Sequence, residues 1–368
     1  MPAETYDLAI IGGGPAGAAA ALSACRLRPG LRVALVESSR YDSWRPGETL
    51  APGCREILTS LGCWEAFRNV GFCESPGTRA VWGNPDPYDN PFVFSLRGNG
   101  WHVDRPRFDA LLCDSARDSG ACIVDNARLC DIERTDAGYM LQLRGSNPSI
   151  CARFVIDTSG REASFAIRCG ARRVADDRLI GVCGLLPAAG RDACTLVESQ
   201  PDGWWYSSLL PGSRIIAAWM SDADLVREQH LCEPDCWLAH LRRARWTPER
   251  TGGTLIEPLK VWTAHSQCLS TVHGENWVAA GDAATTYDPL SSLGILKALR
   301  AGKIASFTAI DRLEGRDSSL RYERFIAGEY AAYRETKRWF YSQEQRWPRS
   351  PFWQRRINGE LSQWQQRN

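Results

Sequence analysis

The chain has 368 residues, and its 44 basic and 43 acidic side chains leave a net charge of +1, which gives no field for a nucleic acid. No apolar run approaches bilayer length, and the first strand pattern begins at Tyr6, too early for a secretory leader ahead of it; the expectation is a cytoplasmic protein. The length suffices for two lobes around one site and a helical tail.

In chain order, an apolar strand pattern from Tyr6 to Ile11 runs into Gly12, Gly14 and Gly17, and an alanine-rich helix pattern, Ala18 to Arg26, follows directly. Strand, glycine loop and helix in that order form a dinucleotide site. Gly12 permits the tight turn, Gly14 leaves room for a pyrophosphate beside Pro15 and Ala16, and Gly17 lets the helix pack on the strand, so that free N–H groups of the helix N-terminus face the phosphates. A second strand pattern, Arg32 to Val36, ends in Glu37, placed to accept two hydrogen bonds from a ribose diol.

Far down the chain, Asn276 to Ala284 reads as a buried strand entering a Gly-Asp turn, and Tyr287 to Ile295 opens a helix pattern through Ala298, Leu299, Gly302 and Ile304. Asp282 at that turn can hold ribityl hydroxyls, while the helix N-terminus at Leu293, Gly294 and Ile295 can aim N–H groups at the pyrimidine edge of an isoalloxazine. Nicotinamide enzymes need no such second element. The expected cofactor is therefore FAD, held noncovalently because the cysteines lie outside the segments expected at the ring.

On these residues the chain resembles the FAD-dependent monooxygenase and halogenase superfamily, built on the glutathione-reductase type of FAD fold. Three more segments match it in order: Arg45 to Leu50 is similar to its Gly-Glu loop, Trp101 to Asp109 to its Val-Asp-Arg-x-x-Phe-Asp motif, and Phe154 to Arg161 to its Asp-x-Ser-Gly turn. The cofactor set this implies is Gly12, Gly14, Pro15, Ala16, Gly17, Glu37, Arg45, Arg105, Ala127, Asp282, Pro289, Gly294 and Ile295. Within the superfamily, Gly203 to Ser207, Trp219 to Leu225 and the stretch from Arg346 to Trp353 look most like the flavoprotein maturases. Those proteins oxidise a tryptophan of a partner polypeptide while the tryptophylquinone cofactors of amine and amino-acid oxidases are built.

The predicted class is α/β: a Rossmann-like FAD-binding domain in three segments (1–74, 100–170 and 265–315), an antiparallel β-sheet substrate domain (75–99 and 171–264) and a C-terminal helical segment (316–368). Alternating apolar and polar residues in Leu179 to Leu186, Trp204 to Leu210 and Ile215 to Trp219 carry the strand assignment. From Leu320 onward helical spacing predicts one helix or a pair.

Trp204, Trp205 and Tyr206 are consecutive, so on a strand the first and third share a face; they are the candidate substrate contacts. Glu48 and Asp288 are the candidate acid–base groups, with His102 a third. The competing roles are loop hydrogen bonding for Glu48 and helix capping for Asp288. The resemblance implies that halogenases relay hypohalous acid through a lysine between the Gly-Glu loop and the Val-Asp-Arg motif. Here no lysine precedes Lys260, and the nearest basic candidate is Arg79, whose guanidinium stays protonated. The Trp-x-Trp-x-Ile-Pro signature of those enzymes is also missing, which argues against halogenation.

What remains is hydroxylation of an indole or tryptophan, expected on a partner polypeptide; the alternative is monooxygenation or oxidation of a free small aromatic metabolite. Electrons are expected from NADPH or NADH used transiently, or from a separate flavin reductase, since no second glycine loop with its own acid appears. The tail from Arg334 to Arg356 mixes Lys337, Arg338, Arg346, Arg349, Arg355 and Arg356 with Trp339, Phe340, Trp347, Phe352 and Trp353, a composition suited to a docking face. Its competing role is a helix covering the substrate lobe.

Of the fourteen cysteines, Cys25, Cys113, Cys122, Cys151 and Cys183 fall inside apolar patterns and read as free buried thiols of a reducing compartment. His230, Cys232, Cys236 and His240 could form a tetrahedral zinc site. Leu231, Trp237, Leu238 and Leu241 supply an ordinary packing stripe there instead, and the superfamily uses no metal, so none is expected.

Overall fold

A computed structural model describes residues 4–94, 96–144 and 149–357. Its first sheet has five parallel strands in the order Trp277–Ala279, Ser149–Asp157, Glu4–Ile11, Val33–Glu37 and Cys122–Asp125. The strand Val33–Glu37 is buried at every residue, as a parallel strand covered on both faces must be. An antiparallel meander, Arg128–Thr135 with Gly138–Arg144, joins the N-terminal half of Ser149–Asp157.

The helix Pro15–Leu27 packs chiefly on Gly294–Leu313. Gly302 makes that crossing possible, because a Cβ there would stand 2.0 Å from the Ala16 carbonyl oxygen. The two helices therefore meet backbone to backbone, and both N-termini open on the same space.

The second sheet runs Lys260–Thr263, Leu179–Pro187, Arg214–Asp222, Gly203–Leu210, Thr195–Gln200, Gly77–Val81 and Tyr88–Pro91. Its strands pair antiparallel, as expected, at every junction but one, where Thr195–Gln200 and Gly77–Val81 pair in parallel. Gly77–Val81 arrives from a separate excursion, so no hairpin fixes its direction. Arg173–Ala175 pairs with Gln267–Leu269 in a separate three-stranded sheet.

The two faces of the second sheet bury different clusters. Leu179, Leu185, Trp204 and Met220 pack with Tyr341, Phe352 and Trp353 of the tail, while Val182, Trp205 and Trp219 pack with Trp237 and Leu241 of the helix Pro234–Leu241. His240 belongs to the latter group, its ring edge-on to Trp219 at 4.3 Å between centroids. Cys232 is exposed, and among the described residues no cluster of His, Cys, Asp and Glu is arranged to hold a metal. Cys122 and Cys151 correct the cysteine reading: the first is exposed and the second half-buried, because Cys122 opens the outermost strand and Cys151 shares the less covered face of its strand with Ser149 and Arg153.

The tail also differs from its expectation as a docking face. The helices Ser319–Ser342 and Pro351–Ile357 turn Phe352 and Trp353 wholly inward. Arg355 and Arg356 both bind Asp222, at 2.8 and 2.7 Å, and Arg346 binds Glu344 at 2.6 Å. These cations are spent on internal carboxylates, whereas Arg338 and Arg349 are exposed, as are Trp339 and Phe340 among the aromatics of 334–356. Residues 358–368 lie outside the described ones. Among the described residues no helix is long and apolar enough to cross a membrane.

Candidate active site

A cavity of about 810 Å³ opens between the two sheets. Its floor is the glycine loop. Gly12 has φ +105°, and a Cβ on it would stand 2.4 Å from the Thr158 carbonyl oxygen, so only glycine makes this turn. Gly17 would place a Cβ 1.8 Å from the Gly12 carbonyl oxygen, whereas Gly14 faces open space with no atom within 4 Å. The helix Pro15–Leu27 starts on Gly14 without a side-chain cap, leaving its first N–H groups free for an anion. At the end of the second strand, Glu37 accepts from the N–H groups of Gly13 at 2.6 Å and Ser39 at 2.7 Å.

The Val-Asp-Arg segment clamps the Gly-Glu loop. Asp104 caps the helix Arg105–Asp118; one turn in, buried Asp109 accepts from Arg105 at 3.2 and 3.0 Å and pairs with Arg45 at 3.2 Å. Arg105 also donates to the Pro46 carbonyl at 3.0 Å. That fixes Glu48, whose Oε2 accepts from the Gly47 N–H at 2.9 Å and whose Oε1 accepts from the Tyr206 hydroxyl at 2.5 Å. Burial raises the Glu48 carboxyl above its ordinary range, and Tyr206 offsets only part of this.

On the far wall, Asp282 meets Lys297, whose Nζ donates to it at 2.7 Å and also to the Thr285 carbonyl, above the Tyr287 ring at 4.7 Å. Burial opposes the charge on Asp282, yet Lys297 and Arg161 outweigh it and hold the carboxyl below its usual range. Asp288 caps the turn Pro289–Ser291 through the Leu290 N–H at 2.9 Å and accepts from the Tyr341 hydroxyl at 2.8 Å. Burial raises its carboxyl, with Lys337 at 3.9 Å as partial compensation.

The roof comes from the second sheet. Cross-strand register aligns Cys183 with Ala218 and Tyr206, and Gly181 with Met220, and all five line the cavity. Cys183 and Ala218 are small beside the Glu48–Tyr206 pair, whereas the Met220 side chain covers Gly181, where a Cβ would stand 2.9 Å from its Sδ.

The cavity wall brings together Gly12, Gly14, Pro15, Ala16, Glu37, Arg45, Glu48, Arg105, Ala127, Tyr206, Asp282, Asp288, Pro289, Gly294 and Ile295. Gly17 stands behind it as a packing contact. Trp204 and Trp205 depart from the expectation that they contact substrate: Trp204 is fully buried, donating to the Tyr341 hydroxyl at 3.1 Å, and Trp205 packs on the opposite face of the sheet. Strand alternation separated the two correctly, but a sheet covered on both faces buries both sides. His102 also lies behind the wall. Its Nε2–H donates to the Ala193 carbonyl at 2.7 Å and its Nδ1 accepts from Ser208 at 2.8 Å, and burial lowers its pKa to about 4. Lys297, Arg161 and Tyr341 were not foreseen; the signal for Lys297 was a lone charge on the buried stripe of Gly294 to Gly302.

This geometry accommodates FAD: two helix N-termini open on one cavity, Gly14 faces empty space, and an acid ends the second strand. The matching family model, described as an FAD binding domain, covers residues 5–300. The chain belongs to that family. It is an FAD-dependent oxidoreductase of the halogenase and monooxygenase group.

It is 29% identical over 96% of its length and 97% of the relative's to a protein assigned as an FAD-dependent oxidoreductase, LodB of Marinomonas mediterranea. The myxobacterial chondrochloren halogenase CndH superposes with a TM-score of 0.88 at 23% identity, over 98% of this chain and 88% of that one; at this identity the likeness shows the fold. The peptidyl tryptophan dihydroxylase QhpG, essential for tryptophylquinone cofactor biogenesis, superposes with a TM-score of 0.78 at 25% identity, over 96% and 79%.

Proposed function

We propose that this flavoenzyme hydroxylates an indole ring, and that the ring belongs to a tryptophan of a partner polypeptide. The observation that carries the reading is the cavity wall where small Cys183 and Ala218 stand beside the Glu48–Tyr206 pair, a wall that contains no lysine among the described residues. Arg79, the nearest basic candidate in the halogenase interval, is bound to Asp89 at 2.6 Å and Asp192 at 3.0 Å, outside the cavity wall. Lys297 is held by Asp282. Neither is disposed to act as an oxidant-carrying amine.

In this reading the free N–H groups at Gly14 and Ala16 hold the pyrophosphate of FAD, with Pro15, which has no N–H to donate, fixing the helix start between them and Arg45 and Arg105 nearby. Glu37 takes the adenosine ribose and Ala127 lies beside it. Asp282 takes the ribityl hydroxyls, and Pro289, Gly294 and Ile295 edge the ring. Reduced FAD supplies activated oxygen to an electron-rich ring. The protein positions the indole against the small-residue roof, excludes water and manages protons. Glu48 accepts the proton released when the ring rearomatises, with Tyr206 stabilising the carboxylate by its hydrogen bond. Asp288, fixed by Tyr341, shapes the opposite wall.

The likeness to QhpG supports a polypeptide substrate. The inward-facing tail favours the other reading, a free small aromatic, because it removes one docking face. The test is to incubate the reduced holoenzyme and labelled dioxygen with an unmodified quinone-oxidase subunit, or with free tryptophan derivatives, and to weigh the products. Labelled oxygen on the partner's tryptophan is the expected result; label on free substrates alone would select the alternative, and a halogen isotope pattern would overturn both.

A further inference from the structure

The seven-stranded sheet has two outer strands, and they differ in chemistry. Tyr88–Pro91 carries Pro91 and Asp89, the latter paired with Arg79; proline and charge are the guards that keep foreign chains off a sheet edge. Lys260–Thr263 lacks such guards. Val261 is 51% and Trp262 38% exposed, with Thr263 exposed beside them. The one charge, Lys260, turns back onto Trp44, donating to its carbonyl at 3.3 Å, and lies 3.6 Å from Glu257.

Register decides where the backbone groups of this strand point. The Ala264 N–H donates to the Leu179 carbonyl at 2.9 Å, in line with the pairs Thr263–Ile180, Trp262–Gly181 and Val261–Val182. Bonded and non-bonded pairs alternate in an antiparallel ladder, so Trp262 bonds inward to Gly181. The N–H and C=O groups of Val261 and Thr263 therefore face away from the sheet. Side chains directly opposite each other share a face, which puts Trp262 on the cavity side with Gly181. Trp262, Thr263 and Ala264 all form part of the cavity wall. The unguarded edge is thus also the lip of the active-site cavity.

Outward donors and acceptors at every second residue of an uncharged strip complement one ligand chemistry, an extended polypeptide backbone. We propose that Lys260–Thr263 is a docking edge on which an extended, uncharged segment of the partner polypeptide adds as a further strand, about 4.8 Å away, with alternate side chains beside Trp262 at the cavity mouth. This rests on the reading that the substrate is a polypeptide.

The experiment gives FAD-loaded enzyme the peptide acetyl-Thr-Val-Trp-Val-Thr-amide, its analogues N-methylated on alternate backbone nitrogens in either register, and N-acetyltryptophanamide, which is too short to pair. Binding is read by anisotropy of labelled peptide, and oxidation separately by oxygen-labelled product mass. The unmethylated peptide should bind about tenfold more tightly than the analogue blocked on its pairing face. Val261→Pro deletes one outward N–H where an edge strand tolerates proline. It should abolish that preference and leave handling of N-acetyltryptophanamide unchanged. No binding of the peptide by the wild type, equal binding of all the peptides, or an undiminished preference in Val261→Pro would overturn the docking edge. Backbone-sensitive binding without oxidised product keeps the edge and overturns polypeptide hydroxylation; oxidation without backbone sensitivity does the reverse.

Discussion

At the cavity floor, Gly12, Gly14 and the uncapped first turn of Pro15–Leu27 present backbone groups whose positions follow from adjacent residues. At the roof and far wall, Glu48, Tyr206 and Asp288 present side chains, and their partners come from distant strands and from the tail: Tyr206 reaches Glu48, and Tyr341 reaches Asp288. The floor carries no titrating donor and serves any dinucleotide. The roof is where burial moves carboxyl groups out of their ordinary range, so chemistry and substrate choice reside there.

Two glycines three positions apart, Gly14 on the floor and Gly17 behind it, should fail in different ways. Gly17→Val drives a side chain into the Gly12 carbonyl at a backbone contact and should cost more than about 4 kcal/mol, leaving little folded protein. Gly14→Val points into open space, so the protein should fold, with unchanged circular dichroism and urea midpoint, but purify colourless because the side chain fills the pyrophosphate's place. If both variants behave alike, floor packing and phosphate recognition are not separable.

The tail should matter through the roof. Asp222→Ala strands Arg356, which is almost fully buried, while Arg355 keeps Asp224 at 2.6 Å, and should destabilise by about 3–5 kcal/mol in urea unfolding. Retained stability would return the tail to the role of an exposed docking face.

His102 gives the roof lobe an acid sensitivity that the floor lacks. Its folded pKa is depressed from the ordinary 6.5 to about 4, so the unfolded chain takes the proton first. The stabilisation is complete above pH 6.5 and is lost as pH falls toward 4, by about 2 kcal/mol at pH 5. Urea unfolding at pH 7 and pH 5 should show this loss for the wild type and a smaller one for His102→Gln.

The smallest expected effect is chemical. Tyr206→Phe removes the hydrogen bond that lowers the Glu48 pKa, so that pKa should rise further and the acid limb of the kcat–pH profile should move to higher pH. A fall in kcat of about tenfold accompanies it, one hydrogen bond to a charged group. An unmoved limb would remove Glu48 from proton handling.

Short-range physics made the floor legible. Gly12, Gly14, Gly17 and Glu37 occur in an order whose geometry is set by φ values, helix starts and strand ends, and Asp104 caps its helix within three residues. The sequence also separated Trp204 from Trp205 by alternation, yet could not say that both faces of their strand are covered. That depended on the helix Pro234–Leu241 reaching one face and the tail the other. For the same reason the cations of Arg346, Arg355 and Arg356 read as a surface until Glu344, Asp222 and Asp224 were brought to them. Composition and periodicity determine which residues want burial or a partner. Which partner meets them across a hundred residues of chain is decided by long-range packing, whose free energy depends on the whole fold.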